Sequence, residues 1–504
     1  MTAPTTPAPA IPRRAWVALV VLLAGMFMSL LDTTIVNVAL PTIRDSIDAS
    51  EATLSWIISG YALAFGLVLI PAGRIGDRFG HKWVFFTGLA LFTAASVACG
   101  LAQNDVQLIV ARVVQGLGGG IFFPPVTAFI QLLFPARARG RAFAIMGAVI
   151  GISTALGPLV GGLIIQGIGE ETGWRYIFFV NLPIGLITVI AAAILLPKGG
   201  EGKRLSTDIV GLLLASVALV AILVPLIEGQ DQGWPLWTYL SLALGVLLLI
   251  AFAFWERRVA ARGAEPFVPP HLFSHPAFTG GTILALVYFA AFTSIFFTIS
   301  IFWQAGLGHT ALESGLVSIP FAIGSIVGAS QSDRLARRLG RTVLIVGVGM
   351  VSIGLIALWL VLLLIPATDL TNWDLLGPLV VAGVGSGLFI APNAQFIVAT
   401  VDRAEAGAAS GVVGTMQRIG SAIGIAVIGS VFFGTLVIDK PSFDHQPSKA
   451  EAAAAVARNV ADGFGHSATA ALLISAVFAV VAFCLVFALP KQVSRQPAPV
   501  GTAE

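Results

Sequence analysis

Stretches of about 20 apolar residues, each long enough to cross a hydrocarbon core about 30 Å thick as a helix, recur along this chain and exclude most other folds. Fourteen can be read, starting near residues 15, 53, 83, 107, 141, 176, 209, 236, 278, 313, 342, 375, 406 and 468. Short polar or Pro/Gly-marked connections separate them, and no strand-period alternation suggests a barrel. Placement of Lys and Arg tests the count, because an even number of spans returns both ends of the chain to one side, where the positive-inside rule gathers basic residues. Of the 28, Arg112 and Arg418 fall inside segments and only Arg44, Arg175, Lys440, Lys449 and Arg458 fall on the other side. The rest cluster at 13–14, 74–82, 137–141, 198–204, 257–262, 334–341, 403 and 491–495. The net charge of +3 therefore reflects topology and gives no reason to expect nucleic acid. With 11% charged residues and mean hydropathy of +0.94, the chain reads as an all-α polytopic membrane protein with both termini cytoplasmic. Arg13 and Arg14 before an apolar run mimic a signal peptide, but the run is too long and lacks a small-residue cleavage site. Cys99 and Cys484 lie inside spans, so no disulfide is expected.

One acid stands where an acid is costly. Asp32 lies in the first segment, where a charge at membrane depth costs about 2.5 to 3.5 kcal/mol on insertion scales and is seldom carried without a partner or a task. Counting from Arg14, it lies about 27 Å in at 1.5 Å per residue. Arg112 of the fourth segment, counted from Asp105, lies about 10 Å below the outer face. Both fall in the outer half, so they are expected to pair across a shared cavity. Burial favours a neutral carboxyl and a nearby guanidinium favours the ionised one, so relative movement would switch proton affinity between conformations. A permanently ionised Asp locked to a helix partner is the bland alternative.

The chain also repeats itself. Gly116, Gly118, Gly120, Phe122, Pro125, Phe129 and Ile130 align without a gap on Gly383, Gly385, Gly387, Phe389, Pro392, Phe396 and Ile397. The same offset places Gly140, Ala142, Gly147, Ile152, Ala155 and Gly157 on Gly407, Ala409, Gly414, Ile419, Ala422 and Gly424. Chance recurrence of Gly and Ala explains single matches but not a run at one offset. The expected organisation is a disordered tail over 1–14, a six-helix half over 15–200, a two-helix insert over 201–262, a second six-helix half over 263–490 and a tail over 491–504. An outer loop is expected at 438–467, with a short helix over Glu451–Ala461. Duplicated halves that rock about a site at their interface are a common transporter plan.

Between the second and third segments stands GRIGDRFGHK, with Gly73, Asp77, Arg78, Gly80 and Lys82 in a short basic loop. Asp77 can accept hydrogen bonds from a helix N-terminus, or pair with Arg, in one conformation and release them in another. A degenerate copy, DRLARRLGRT from Asp333, follows in the second half, where Arg337 aligns with Asp77. Here the chain resembles the major facilitator superfamily, whose loop signature these residues match. RVVQGLGGG from Arg112 is similar to the fourth-helix signature of drug:proton antiporters, in which the Arg is associated with proton transfer. GISTALGPLVGG, with Gly157, Pro158, Gly161 and Gly162, is similar to their fifth-helix antiporter signature, where close packing limits leak. LDTTIVNVALP from Leu31 and WRYIFFVNLPIG from Trp174 fit the fourteen-span branch with two extra central helices.

The resemblance implies a major-facilitator fold and proton-coupled export of amphipathic drugs, cationic or neutral and hydrophobic, across a prokaryotic plasma membrane. Candidate cavity residues are Asn37, Asn393 and Gln395 for polar contacts, and Tyr61, Phe65, Phe289, Phe292 and Phe296 for stacking on a flat lipophilic cation. Amides that merely join helices and aromatics that face lipid are the competing readings. Arg418 suits either an anionic or water-mediated role in the cavity or a structural tie. No GK[ST] phosphate loop is present, so no nucleotide or other cofactor is expected and the energy source is a proton gradient. A single carboxylate beside an Arg suits a titrating site better than a metal site. The six histidines scatter over loops, which disfavours an enzyme. Expected partners are small amphipathic molecules, protons and lipid, with a monomer as the working unit. Export of one dedicated endogenous metabolite or antibiotic, or proton-coupled solute import, are the alternatives.

Overall fold

Lipid offers no hydrogen bonds to a backbone, so an apolar chain of this kind satisfies its amides within helices. The computed structural model describes residues 12–49, 51–197, 208–229, 232–399, 401–402, 405–440 and 448–490, and among them fourteen helical spans and no strand occur. The first half comprises α1 (Arg13–Ile47), α2 (Glu51–Phe79), α3 (His81–Leu101), α4 (Asp105–Leu133), α5 (Ala136–Ile168), and a sixth span broken into α6 (Glu170–Phe179) and α7 (Asn181–Leu195). The insert is α8 (Ile209–Glu228) and α9 (Leu236–Ala261). The second half comprises α10 (Pro276–Ile301), the broken span α11 (Ala311–Val317) and α12 (Ile319–Leu339), α13 (Thr342–Leu364), α14 (Asn372–Val398), α15 (Ala406–Gly434) and α16 (Lys449–Val486). The basic residues Lys198, Lys203, Arg204, Arg403, Lys491 and Arg495, residues 1–11 of the expected tail, and 441–447 of the expected outer loop lie outside the described residues.

The duplication is physical. Gly116 of α4 packs so close to the Tyr61 carbonyl of α2 that a Cβ would collide with it, and its aligned partner Gly383 of α14 meets the Phe321 carbonyl of α12 in the same way. The turns that follow α2 and α12 use Gly80 and Gly340, at φ of 92° and 56°, a region that side-chain-bearing residues enter only with strain. Small residues thus let backbones touch where no hydrophobic force separates helix from lipid.

α16 departs from expectation. The Ala-rich stretch predicted as a separate short helix is its first three turns, started by a capping box between Ser448 and Glu451. Nothing between Ala461 and Ser467 breaks a helix: the two glycines there lower propensity, but Gly463 packs on the Val437 carbonyl. The insert lies along both halves. Leu223 of α8 touches Gly66 of α2 and packs in one cluster with Ile419 of α15, and Trp234 donates to Ser430 of α15 at 2.7 Å. At its other end Glu256 accepts from the Val268 amide at 2.9 Å, and Arg74 of α2 donates to the Pro266 carbonyl at 2.9 Å.

Candidate functional site

Asp32 is fully buried and sits at the centre of a closed polar group in the first half. Arg112 Nη1 donates to Asp32 Oδ2 at 2.6 Å, while Gln115 Nε2 and Asn181 Nδ2 donate to Oδ1 at 2.9 and 2.8 Å. Arg112 and Gln115, three residues apart on α4, share one helix face, and Arg112 Nη1 also donates to Gln115 Oε1 at 2.8 Å. Arg112 Nε reaches the Ile57 carbonyl of α2 at 3.1 Å, and the guanidinium carbon lies 4.1 Å from the Tyr61 ring centroid. Asn181 opens α7 at the break in the sixth span, which aims its amide at Asp32, and it also donates to Ser96 at 3.0 Å. Tyr61 meets the Ser29 hydroxyl at 3.1 Å, one turn before Asp32. A buried carboxylate so surrounded is neutralised by one charge and held by three donors, the condition under which burying an ion pair is tolerable.

Gln115, Asn181 and Ser96 belong to this group and are absent from the candidates read from sequence. Asn181 lies within the WRYIFFVNLPIG string, the one signal that could have pointed to it. Cys99, buried, donates weakly to Gln115 at 3.4 Å.

A second group joins the halves at the face where α1 begins. Asp77, on the last turns of α2, accepts from the Gly407 and Ala408 amides at 2.9 and 3.0 Å, so its carboxylate caps the N-terminus of α15. Gly73 and Gly407 approach so closely that neither has room for a Cβ. His81, four residues on, lies 3.3 Å from Asp77, a contact the sequence did not suggest. Lys82 is buried and donates to the Ala193 carbonyl at 2.7 Å, while Arg78 lies 4.8 Å over Phe79 at the surface. The second half repeats the arrangement with a change of residue. Asp333, not the aligned Arg337, lies against Gly140 at the start of α5, and Arg337 pairs with Asp333 at 2.8 Å.

In α5 the antiporter string forms a seam. Gly157 and Gly161 pack on Thr34 and Ile35 of α1, whereas Gly162 meets Leu312 and Pro158 meets Gly315, both of α11 in the other half. Of the expected cavity residues, Asn37 is exposed and Gln395 partly so, near Gly140. Asn393 is buried and donates to the Gly281 carbonyl at 3.2 Å. Phe289, Phe292 and Phe296 follow one another along α10 in edge-to-face contacts at 5.4 to 5.6 Å between successive rings, with Phe321 beside the last two. Tyr61 and Phe65 are buried rather than open: Tyr61 lies under Arg112 and Phe65 under Arg418, whose guanidinium carbon is 4.0 Å from its ring centroid. Among the described residues no group of three or more His, Cys, Asp or Glu could hold a metal.

The Major Facilitator Superfamily profile matches residues 22–425. A probable actinorhodin transporter of Streptomyces coelicolor is 35% identical over 84% of this chain and 73% of its own length. A tetracenomycin C resistance and export protein of Streptomyces glaucescens is 32% identical over 84% and 77%. The solved proton:xylose symporter XylE superposes with a TM-score of 0.65 at 14% identity, covering 95% of this chain and 96% of that one, a likeness of fold alone. The chain belongs to the Major Facilitator Superfamily, in the fourteen-span branch that carries two extra helices between its halves.

Proposed function

We propose that this protein exports amphipathic small molecules across a prokaryotic plasma membrane by alternating access, driven by protons moving inward through Asp32. The observation that carries the reading is the closed, charge-balanced group of Asp32, Arg112, Gln115 and Asn181, which sets a fully buried carboxylate within the first half. Positive charge assigns the face where α1 begins to the cytoplasm. The latch of Asp77 on α15 then belongs to the form closed toward the cytoplasm. In that form a proton arriving from outside takes the place of Arg112 on Asp32, frees the guanidinium, and favours substrate release. Reopening inward returns the proton to the cytosol and lets Asp32 pair again while new substrate enters. The relatives' association with actinorhodin transport and with tetracenomycin C export supports the outward direction.

The test is Asp32→Asn in reconstituted vesicles with an imposed pH gradient. The variant keeps size and one acceptor for Gln115 and Asn181 but loses the acceptor that faces Arg112 and cannot bind or release a proton, so gradient-driven transport is abolished while membrane insertion and dye binding survive. Full gradient-driven transport by Asp32→Asn would return the carboxylate to a structural role.

A further inference from the structure

Two arginines lie deep in this molecule, and their surroundings differ. Arg112 is matched by Asp32, Gln115, the Ile57 carbonyl and the Tyr61 ring. Arg418, in the middle of α15, has no hydrogen-bond or ion-pair partner among the described residues, and its one partner is the face of Phe65, which belongs to α2 of the other half. A ring face supplies attraction but accepts none of the five N–H bonds a guanidinium can donate in plane. A cation at this depth is retained where it faces a cavity or a partner, not lipid.

The surface next to it is built for a flat apolar body. Ser421, three residues on and thus on the same face of α15, accepts a hydrogen bond from Thr293 of α10 at 2.8 Å. Thr293 stands between Phe289 and Phe296, which are both partly open. Arg418, set on Phe65 of the first half, and the partly open α10 aromatics are therefore neighbours across the Thr293–Ser421 contact. Asp32 is already neutralised by Arg112, and among the described residues no carboxylate lies within ion-pair distance of Arg418.

We propose that Arg418 anchors an acidic group, a carboxylate or acidic phenol, on an aromatic substrate, so that this carrier selects lipophilic anions over the cations expected from its family. The planar guanidinium matches a carboxylate with two parallel hydrogen bonds. A cationic ligand beside it meets repulsion with no acid in reach to offset it. This deepens the export reading and rests on it for the location of the substrate space, but binding alone can be measured without transport.

The experiment uses the full chain in lipid nanodiscs and three probes on one ring system: anthraquinone-2-carboxylate, the neutral anthraquinone-2-carboxamide, and a trimethylammonium-substituted anthraquinone. Binding is read by tryptophan quenching. The carboxylate is expected to bind at least tenfold tighter than the carboxamide, and the ammonium probe more weakly than either. Arg418→Met should bring the carboxylate down to the carboxamide's affinity while leaving the carboxamide unchanged, and Arg418→Lys should retain part of the preference. A wild-type protein that binds carboxylate no better than carboxamide overturns the proposal even if Arg418→Met does not fold. So does an undiminished preference in Arg418→Met. Arg418-dependent binding of a carboxylate that no pH gradient moves would sink the export reading and leave this one standing.

Discussion

Asp32 keeps three side chains around it, and the value of each follows from what its removal leaves behind. Replacing Asn181 with Leu strips Oδ1 of one donor and leaves Ser96 without its amide partner. An unmet hydrogen bond to a buried charge costs about 1 to 3 kcal/mol, and a tenfold effect corresponds to about 1.4 kcal/mol. Asn181→Leu should therefore slow proton-driven transport in vesicles by about tenfold or more. Cys99→Ala, which removes only a weak thiol donor, should transport at close to the normal rate, and equal rates for the two variants would remove Asn181 from the coupling group. The pair of charges was legible in the sequence because ionised groups are rare at membrane depth and depth can be counted along a helix. Gln115 and Asn181 were not, because amides are cheap enough in membrane helices to carry no such signal. Tyr61 and Phe65 show the same limit: four-residue spacing says that two rings share a face, but not that each lies under an arginine.

Among elements, the informative contact is the end of α2 on the start of α15. Asp77 satisfies two of the amides that a helix N-terminus leaves open and places a negative charge at the positive end of its dipole. Asp77→Ala forfeits both, so the closed form should lose about 1 to 3 kcal/mol relative to the open one. Spin labels at position 75, exposed on α2, and position 402, just before α15, should then show a second, longer distance by pulsed electron resonance that the unaltered protein lacks. Identical distance distributions would mean that this contact does not set the equilibrium. The partner latch explains a misreading of the repeat. Aligning the loops residue by residue puts Arg337 opposite Asp77, yet the carboxylate at α5 is Asp333, one turn earlier. A helix presents the same face again after four residues, so one turn's displacement moves the acid in sequence while nearly keeping its place in space.

At the scale of the whole molecule, the count of spans and their sidedness rest on charge placement, and α16 gives the sharpest way to check both. Its 38 residues extend about 57 Å at 1.5 Å per residue, well beyond a hydrocarbon core about 30 Å thick. The apolar, partly buried run near Ala468–Val486 suits the membrane, so the turns from Lys449 to Arg458, exposed and charged, must project beyond it. The sequence could show the polar character of this stretch but not its continuity with the span, because a capping box marks where a helix starts and is silent on where it stops. If the face where α1 begins is cytoplasmic, those turns stand outside the cell. An epitope inserted at Lys449 should bind antibody on intact cells stripped of any outer barrier, whereas reporters placed after Lys203 and after Arg341 should register only cytoplasm. Antibody access at Lys449 that requires the membrane to be opened would reverse the orientation of the whole carrier. It would then place the Asp77 latch outside and turn the proposed exporter, with the same chemistry at Asp32, into a protein whose proton enters from the wrong side.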